Sequence, residues 1–140
     1  MNGHFAEVLA RESETLAGVT DAERLNDWRD RIVGELMDPA SPYALAMRQT
    51  SDLKARARFL DSWRRLIART VDKVLKADST TLASHAPPQS HADTDPHKTA
   101  VLILAALHGG TTLSRVAQDP GPLNAALDIA LAHLTTPECY

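Results

Sequence analysis

The segment PHKTAVLILAALHGGTTLSRVAQDPGPLNAALDIALAHL, residues 96–134, decides how this chain folds. Its run AVLILAAL, residues 100–107, is apolar at every position, which covers the whole circumference of two helical turns. Such a helix must be buried on all sides. After the break at 119–122, the last helix carries apolar stripes on two different faces, and a chain of about six helices has few elements left to cover both. We therefore expect two copies of the chain to pair through residues 96–134.

Apolar residues recur at helical spacing upstream of this segment as well, and no alternating β-branched stretch competes with them. The capping box formed by Thr20 and Glu23 opens one helix, while Ser41-Pro42 and Asp95-Pro96 each place a proline at a first helical position. The pattern predicts helices over about 3–17, 21–38, 42–47, 51–77, 96–118 and 122–134. The expected fold is an all-α bundle of about six helices.

Length and composition are those of one globular domain. The 140 residues contain 15 Lys and Arg against 18 Asp and Glu, a net charge of −3, with 44% hydrophobic residues. The sequence shows no window resembling the uncharged apolar run of a membrane span, and its start lacks the basic and apolar regions of a signal peptide. We expect a soluble, cytoplasmic protein. The single cysteine, Cys139, excludes an internal disulfide.

Residues 77–95, ADSTTLASHAPPQSHADTD, are rich in Ser, Thr, Pro and Asp and are predicted to form a mobile loop within one domain spanning 1–140. The nitrogen and oxygen donors in or beside this loop are His85, His91, Asp93, Asp95 and His97. Such donors suggest a metal site, but a long loop does not preorganise them and Asp95 is accounted for as a helix cap. We therefore expect no bound metal.

Catalytic motifs do not emerge from the sequence, which has no G-x-S-x-G, no glycine-rich phosphate loop and no H-E-x-x-H. We expect neither enzyme activity nor a cofactor. The long fourth helix is basic, whereas residues 1–38 hold nine acidic against four basic side chains. This balance favours charge complementarity between neighbouring helices over a nucleic-acid surface.

Residues 93–134 resemble the last two helices of TetR-family transcriptional regulators. The resemblance lies in the apolar run AVLILAAL, the polar His108, the small-residue break Gly109-Gly110 and the turn at 119–123. Upstream, ARFLDSWRRLIARTVDKVL at 57–75 is similar to the long central helix of that family, and SPYALAMRQ at 41–49 is similar to a short helix before it. The resemblance extends over about residues 1–135.

The resemblance implies a dimeric regulator whose helical domain holds a small, mostly apolar effector, while a separate helix-turn-helix domain binds operator DNA. No three-helix DNA-binding region precedes the core in this sequence, so we expect no direct DNA binding by it. The plausible residues of the effector pocket are Trp28, Ile32, Met37, Tyr43, Met47, Phe59, Trp63, Leu104, His108 and Thr111. Ordinary core packing is the alternative for each of them, and His108 is either a satisfied structural histidine or a ligand contact.

Small residues in the last two helices allow helix backbones to approach closely. At Gly109-Gly110, the alternative to close packing is a kink or a frayed turn. The expected dimer interface consists of Val101, Ala105, Gly109, Ala125, Ile129 and Ala132. The leading hypothesis for function is an effector-binding and dimerisation domain of a TetR-like regulator. The alternative is a stand-alone helical interaction protein that dimerises with itself or with a full-length regulator.

Overall fold

The computed structural model describes residues 3–49, 51–82 and 95–135. Within these ranges the chain is all α-helical and has no strand, which confirms the predicted fold class. The six helices are α1 (Gly3–Ala17), α2 (Ala22–Met37), α3 (Pro42–Arg48), α4 (Leu53–Leu82), α5 (Pro96–Ala117) and α6 (Gly121–Thr135). They form a bundle in which α5 packs most extensively against α6 and against the long α4.

Side-chain caps lie at the starts of four helices, α2 to α5; at α4, Asp52 accepts from the Ala55 backbone N–H at 3.0 Å. Ser41 and Asp95 accept hydrogen bonds from the backbone N–H groups of Tyr43 and His97, each with a proline in the first turn, as the sequence predicts. The cap of α2 is Asp21 instead of the predicted Thr20, because the Asp21 carboxylate accepts from the Arg24 backbone N–H at 2.9 Å.

The long helix α4 continues to Leu82, five residues beyond its predicted end at 77. The polar composition of residues 77–82 suggested a loop, but the segment contains neither Pro nor Gly, so nothing in it breaks the helix. The rest of the predicted loop, residues 83–94, lies outside the described residues. This includes the potential metal donors His85, His91 and Asp93.

Close packing between α5 and α6 depends on Gly110. A Cβ atom at this position would lie 2.8 Å from the Leu123 Cα atom, whereas a Cβ at Gly109 would meet nothing within 4 Å. The helix continues through both glycines without a break, so α5 has no frayed turn at this point. The close approach at Gly110 is therefore made within one chain, between α5 and α6.

Within a single chain, helix α5 is buried on one side, and its other side is exposed and open to the predicted second copy. Ile103 and Leu107 are fully buried, while Val101 and Leu102 are 54% and 47% exposed. By length and composition α5 would suffice to cross a membrane, with a mean hydropathy of 1.4 over 18 residues, which corrects the expectation that no such window exists. Core helices pass the same test, and α5 packs against α4 and α6.

Candidate functional site

An exposed apolar face runs along α5 and α6. We define the α5/α6 face as Val101, Leu102, Ala105, Gly109, Leu113, Val116, Ala125, Ile129 and Ala132, all of them exposed. Val116 and Ile129 are the most open of the large side chains, at 81% and 75% exposure. The six residues predicted for the dimer interface all belong to this face. Spacings of three and four residues place its members on one side of each helix, opposite the side that packs into the core.

Large apolar side chains are concentrated on this face and nearly absent from the rest of the surface. Among the described residues six large hydrophobic side chains are exposed, and five of them lie on α5 or α6. The sixth, Leu53, begins α4. Asp128, the acidic residue beside Ile129, forms an ion pair with Arg29 of α2. Exposed large apolar side chains grouped on two neighbouring helices are typical of a surface that binds another protein.

At the centre of the bundle, a buried carboxylate joins four helices. Glu12 of α1 is only 1% exposed. Its Oε1 atom accepts hydrogen bonds from Nε1 of Trp28 at 3.0 Å and of Trp63 at 2.8 Å, and its Oε2 atom accepts from the Tyr43 hydroxyl at 2.8 Å. All three donors are neutral and come from α2, α4 and α3. The arrangement satisfies both indole N–H groups, which would otherwise be buried without a partner.

Burial raises the pKa of Glu12 above its usual 4.5, and the hydrogen bonds from Tyr43, Trp63 and Trp28 oppose this shift. Burial and the neighbouring Glu12 carboxyl also raise the pKa of Tyr43 far above its usual range. The phenol therefore stays protonated and serves as a donor. Glu12 is thus held by hydrogen bonds from neutral groups, and among the described residues it forms no direct ion pair.

The predicted pocket residues fall into two groups. Trp28, Tyr43 and Trp63 meet at Glu12, and Phe59 extends this cluster because its ring lies 5.5 Å from that of Trp63 and 4.5 Å from that of Phe5. The remaining buried members are Ile32, Met47 and Thr111, while Met37 and Leu104 are half-buried. The centre between the tryptophans, where we expected the effector, is occupied by the Glu12 side chain.

His108 does not belong to this cluster. Its side chain is exposed, and its Nδ1 atom lies 3.2 Å from Nη2 of Arg56. His108 thus lies on the boundary between the buried and exposed sides of α5, with Arg56 as its hydrogen-bond partner. Its pKa is lowered, first by partial burial and then by the charges of Arg56 and Arg115.

Two clefts open near the cluster. One, of about 210 Å³, lies between α1 and α4 and is lined by Phe5, Leu9, Asp52, Ala55, Arg58, Phe59 and Ser62. The other, of about 200 Å³, adjoins Glu12, and its lining includes Ile32, Tyr43 and the charged Arg11, Arg31 and Glu35. Of the predicted pocket residues, Phe59 lines the first cleft, and Ile32 and Tyr43 line the second. The predicted set is thus divided between separate places.

Sequence reasoning missed Glu12, although a signal for it was present. Phe5, Val8, Glu12 and Leu16 are spaced by three and four residues, so a carboxylate occupies the middle of the buried stripe of α1. An acidic residue on such a stripe needs buried donors, and two tryptophans and a tyrosine elsewhere in the chain offer them.

No protein-family model, curated protein or solved structure matches this chain. The likeness to TetR-family regulators therefore stays a prediction. The α5/α6 face, the Glu12 cluster and the two clefts are the features from which a function can be proposed.

Proposed function

We propose that this chain is the effector-binding and dimerisation domain of a TetR-like transcriptional regulator, and that two copies pair through the α5/α6 face. The observation that carries the proposal is the concentration of exposed Val, Leu and Ile side chains on that face. A two-fold axis would bring the same face of each copy together. Two-fold symmetry is the commonest symmetry of protein oligomers. Exposed Ala105, Gly109, Ala125 and Ala132 between the larger side chains would let the helices approach closely.

A second copy fits this face better than a charged partner. Most of its side chains are uncharged, and Asp128 at its edge is already paired with Arg29 within the chain. Charge complementarity with a different protein would need unpaired charges within the patch. Self-complementary apolar surfaces are instead typical of homodimers.

For the effector, the structure favours the cleft between α1 and α4 over the space between the tryptophans. The floor of this cleft is apolar, formed by residues such as Phe5, Leu9 and Phe59, and Arg58 and Asp52 provide polar groups. A small, mostly apolar molecule matches this lining. It would act by favouring one arrangement of α1 and α4 over another, and so change the population of a DNA-binding state.

The alternative function is a helical interaction protein that dimerises with itself or with a full-length regulator and binds no effector. The Glu12 cluster favours this alternative, because three ring donors and a carboxylate fill the centre of the bundle. The two functions differ in ligand response. A screen of small apolar metabolites that raises the melting temperature or changes tryptophan fluorescence supports the effector domain. A screen with neither response supports the interaction protein.

The dimer itself is tested by Ile129→Glu, with Leu53→Glu as the matched control. Both positions carry an aliphatic side chain that is more than 70% exposed, but Leu53 lies outside the α5/α6 face. Losing two isoleucines from a symmetric interface removes about 2–4 kcal/mol of burial, which weakens dimerisation roughly 30- to 1,000-fold. Size-exclusion chromatography with light scattering should show a monomer for Ile129→Glu and an unchanged mass for Leu53→Glu. Equal masses for both variants and the wild type would refute the proposed interface.

A further inference from the structure

A group of basic side chains gathers where α5 meets the end of α3. Arg56 of α4 donates from Nη1 to the backbone carbonyls of Met47 at 3.0 Å and Gln49 at 2.8 Å, and more weakly to Ala46. Its Nη2 atom donates to Nδ1 of His108. Because arginine is always a donor, this contact requires a neutral imidazole with its proton on Nε2. Arg56 is thus fixed in place by carbonyls and an imidazole, without a carboxylate.

Two polar groups on the same side of α5 lack partners. The Thr111 hydroxyl is buried, with the residue 1% exposed, and has no hydrogen-bond partner in the described part of the chain. The Nη2 atom of Arg115 is likewise buried and unpartnered. His108, Thr111 and Arg115 are spaced by three and four residues, so they lie side by side along one strip of the helix. Buried donors are almost always satisfied in folded proteins, so a pair of unsatisfied donors in one place indicates a missing acceptor.

The arginines at this place form no ion pair within the described part of the chain. Arg48 is exposed, donates to the Pro39 carbonyl, and lies near enough to Arg115 to lower its pKa, after the larger effect of burial. The ion pairs among the described residues include none made by Arg48, Arg56 or Arg115. Three neighbouring guanidinium groups that form no ion pair among the described residues attract anions.

We propose that Arg48, Arg56 and Arg115, with Thr111 beside them, form a binding site for a small molecule carrying an oxyanion group. Guanidinium groups recognise carboxylate and phosphate through paired N–H donors, and these are the acceptors that the site lacks. This site is separate from the cleft that we propose for the apolar effector, so the inference goes beyond the proposed function, and the binding event does not require the dimer.

The site lies apart from the cleft between α1 and α4. Arg56 faces α5, whereas Ala55 and Phe59 of the same helix face α1. An anionic ligand bound at Arg56 would contact α3, α4 and α5 together, and α5 carries six of the nine residues of the α5/α6 face. Occupation of the site is therefore placed to influence how two copies pair.

The test is a titration with inorganic phosphate, and separately with succinate, at ionic strength held constant with sodium chloride. The readout is the NMR signals of the His108 imidazole and the Thr111 amide. We expect saturable shifts, and a dissociation constant at least about tenfold higher in Arg115→Gln and in the exposed variant Arg48→Gln. Arg65→Gln, which removes a surface arginine paired with Asp61, is the control and should leave the titration unchanged.

The outcomes separate the sources of the anion and the possible occupants. Saturation by phosphate alone assigns a phosphate site, and saturation by succinate alone assigns a carboxylate site. Shifts that do not saturate, or that are equal in Arg65→Gln and Arg115→Gln, overturn the proposal. It is also overturned if neither anion has an effect while Arg115→Gln weakens dimerisation, because the acceptor is then an acidic side chain of the second copy. Saturable binding to a chain that sediments as a monomer supports the site and refutes the proposed dimer.

Discussion

Replacing Glu12 by alanine tests how the bundle is held together. The side chain accepts hydrogen bonds from Trp28, Trp63 and Tyr43, which come from three different helices. Alanine removes the acceptor and leaves two indole N–H groups and one hydroxyl buried together. It also removes a carboxyl group whose burial is itself unfavourable, as the raised pKa of Glu12 indicates. The net effect depends on which of these two changes is larger.

Each buried donor left without a partner costs about 1–3 kcal/mol, so three of them cost roughly 3–9 kcal/mol. Relief of the carboxyl desolvation and entry of water into the new space offset part of this cost. We therefore expect Glu12→Ala to lower the free energy of unfolding by about 3–5 kcal/mol, a large part of the roughly 5–15 kcal/mol of a typical domain. Glu12→Gln keeps an acceptor for the indoles and should lose less.

Urea unfolding followed by circular dichroism and by tryptophan fluorescence gives the measurement. Glu14→Ala, an exposed acidic position on the same helix, is the matched control and should change the unfolding free energy by less than about 0.5 kcal/mol. If Glu12→Ala unfolds within about 1 kcal/mol of the wild type, the three hydrogen bonds do not hold the core. The interpretation of Glu12 as the central structural group is then refuted.

Three further predictions concern stability. Gly110→Ala should lower the unfolding free energy by about 1–3 kcal/mol, because its Cβ would meet the Leu123 backbone. Gly109→Ala should raise it by about 0.5–1 kcal/mol, because alanine favours the helix and its Cβ meets no neighbour. A higher melting temperature for Gly110→Ala than for Gly109→Ala would contradict this packing. Because burial raises the pKa of Glu12, protonation of this group stabilises the folded chain below pH 4.5, and this stabilisation is lost as the pH rises through the raised pKa. The unfolding free energy of the wild type should therefore increase on acidification relative to that of Glu12→Gln. A difference between the two proteins that stays constant with pH would show that the pKa of Glu12 does not change on folding. Asp95→Ala should lower the unfolding free energy by about 1 kcal/mol, because α5 loses its cap. An unchanged melting temperature would contradict this prediction.

The helices were predictable because their signals are local. Ser41-Pro42 and Asp95-Pro96 combine a capping side chain with a proline, and both start helices where the sequence places them. The apolar stripe of each helix also follows from its own spacing. Local signals were insufficient at residues 77–82, where polar composition suggested a loop but the helix continues.

The site was less predictable because it depends on contacts between distant segments. Sequence reasoning grouped Trp28, Tyr43 and Trp63 but assigned a ligand to the space between them, since it did not identify Glu12 as their acceptor. For His108 the sequence left a structural role and a ligand contact open, and the structure places it at the boundary of the buried side of α5, beside Arg56 of α4. The helices that pack against α5 set this boundary. The sequence of α5 alone does not show which helices these are.

The pairing of two copies through the α5/α6 face is the central claim, and the mass of the wild-type chain in solution tests it most directly. Sedimentation equilibrium at micromolar concentration should give twice the 15.2 kDa of one chain. A well-folded species of 15.2 kDa across the same concentration range would contradict the claim.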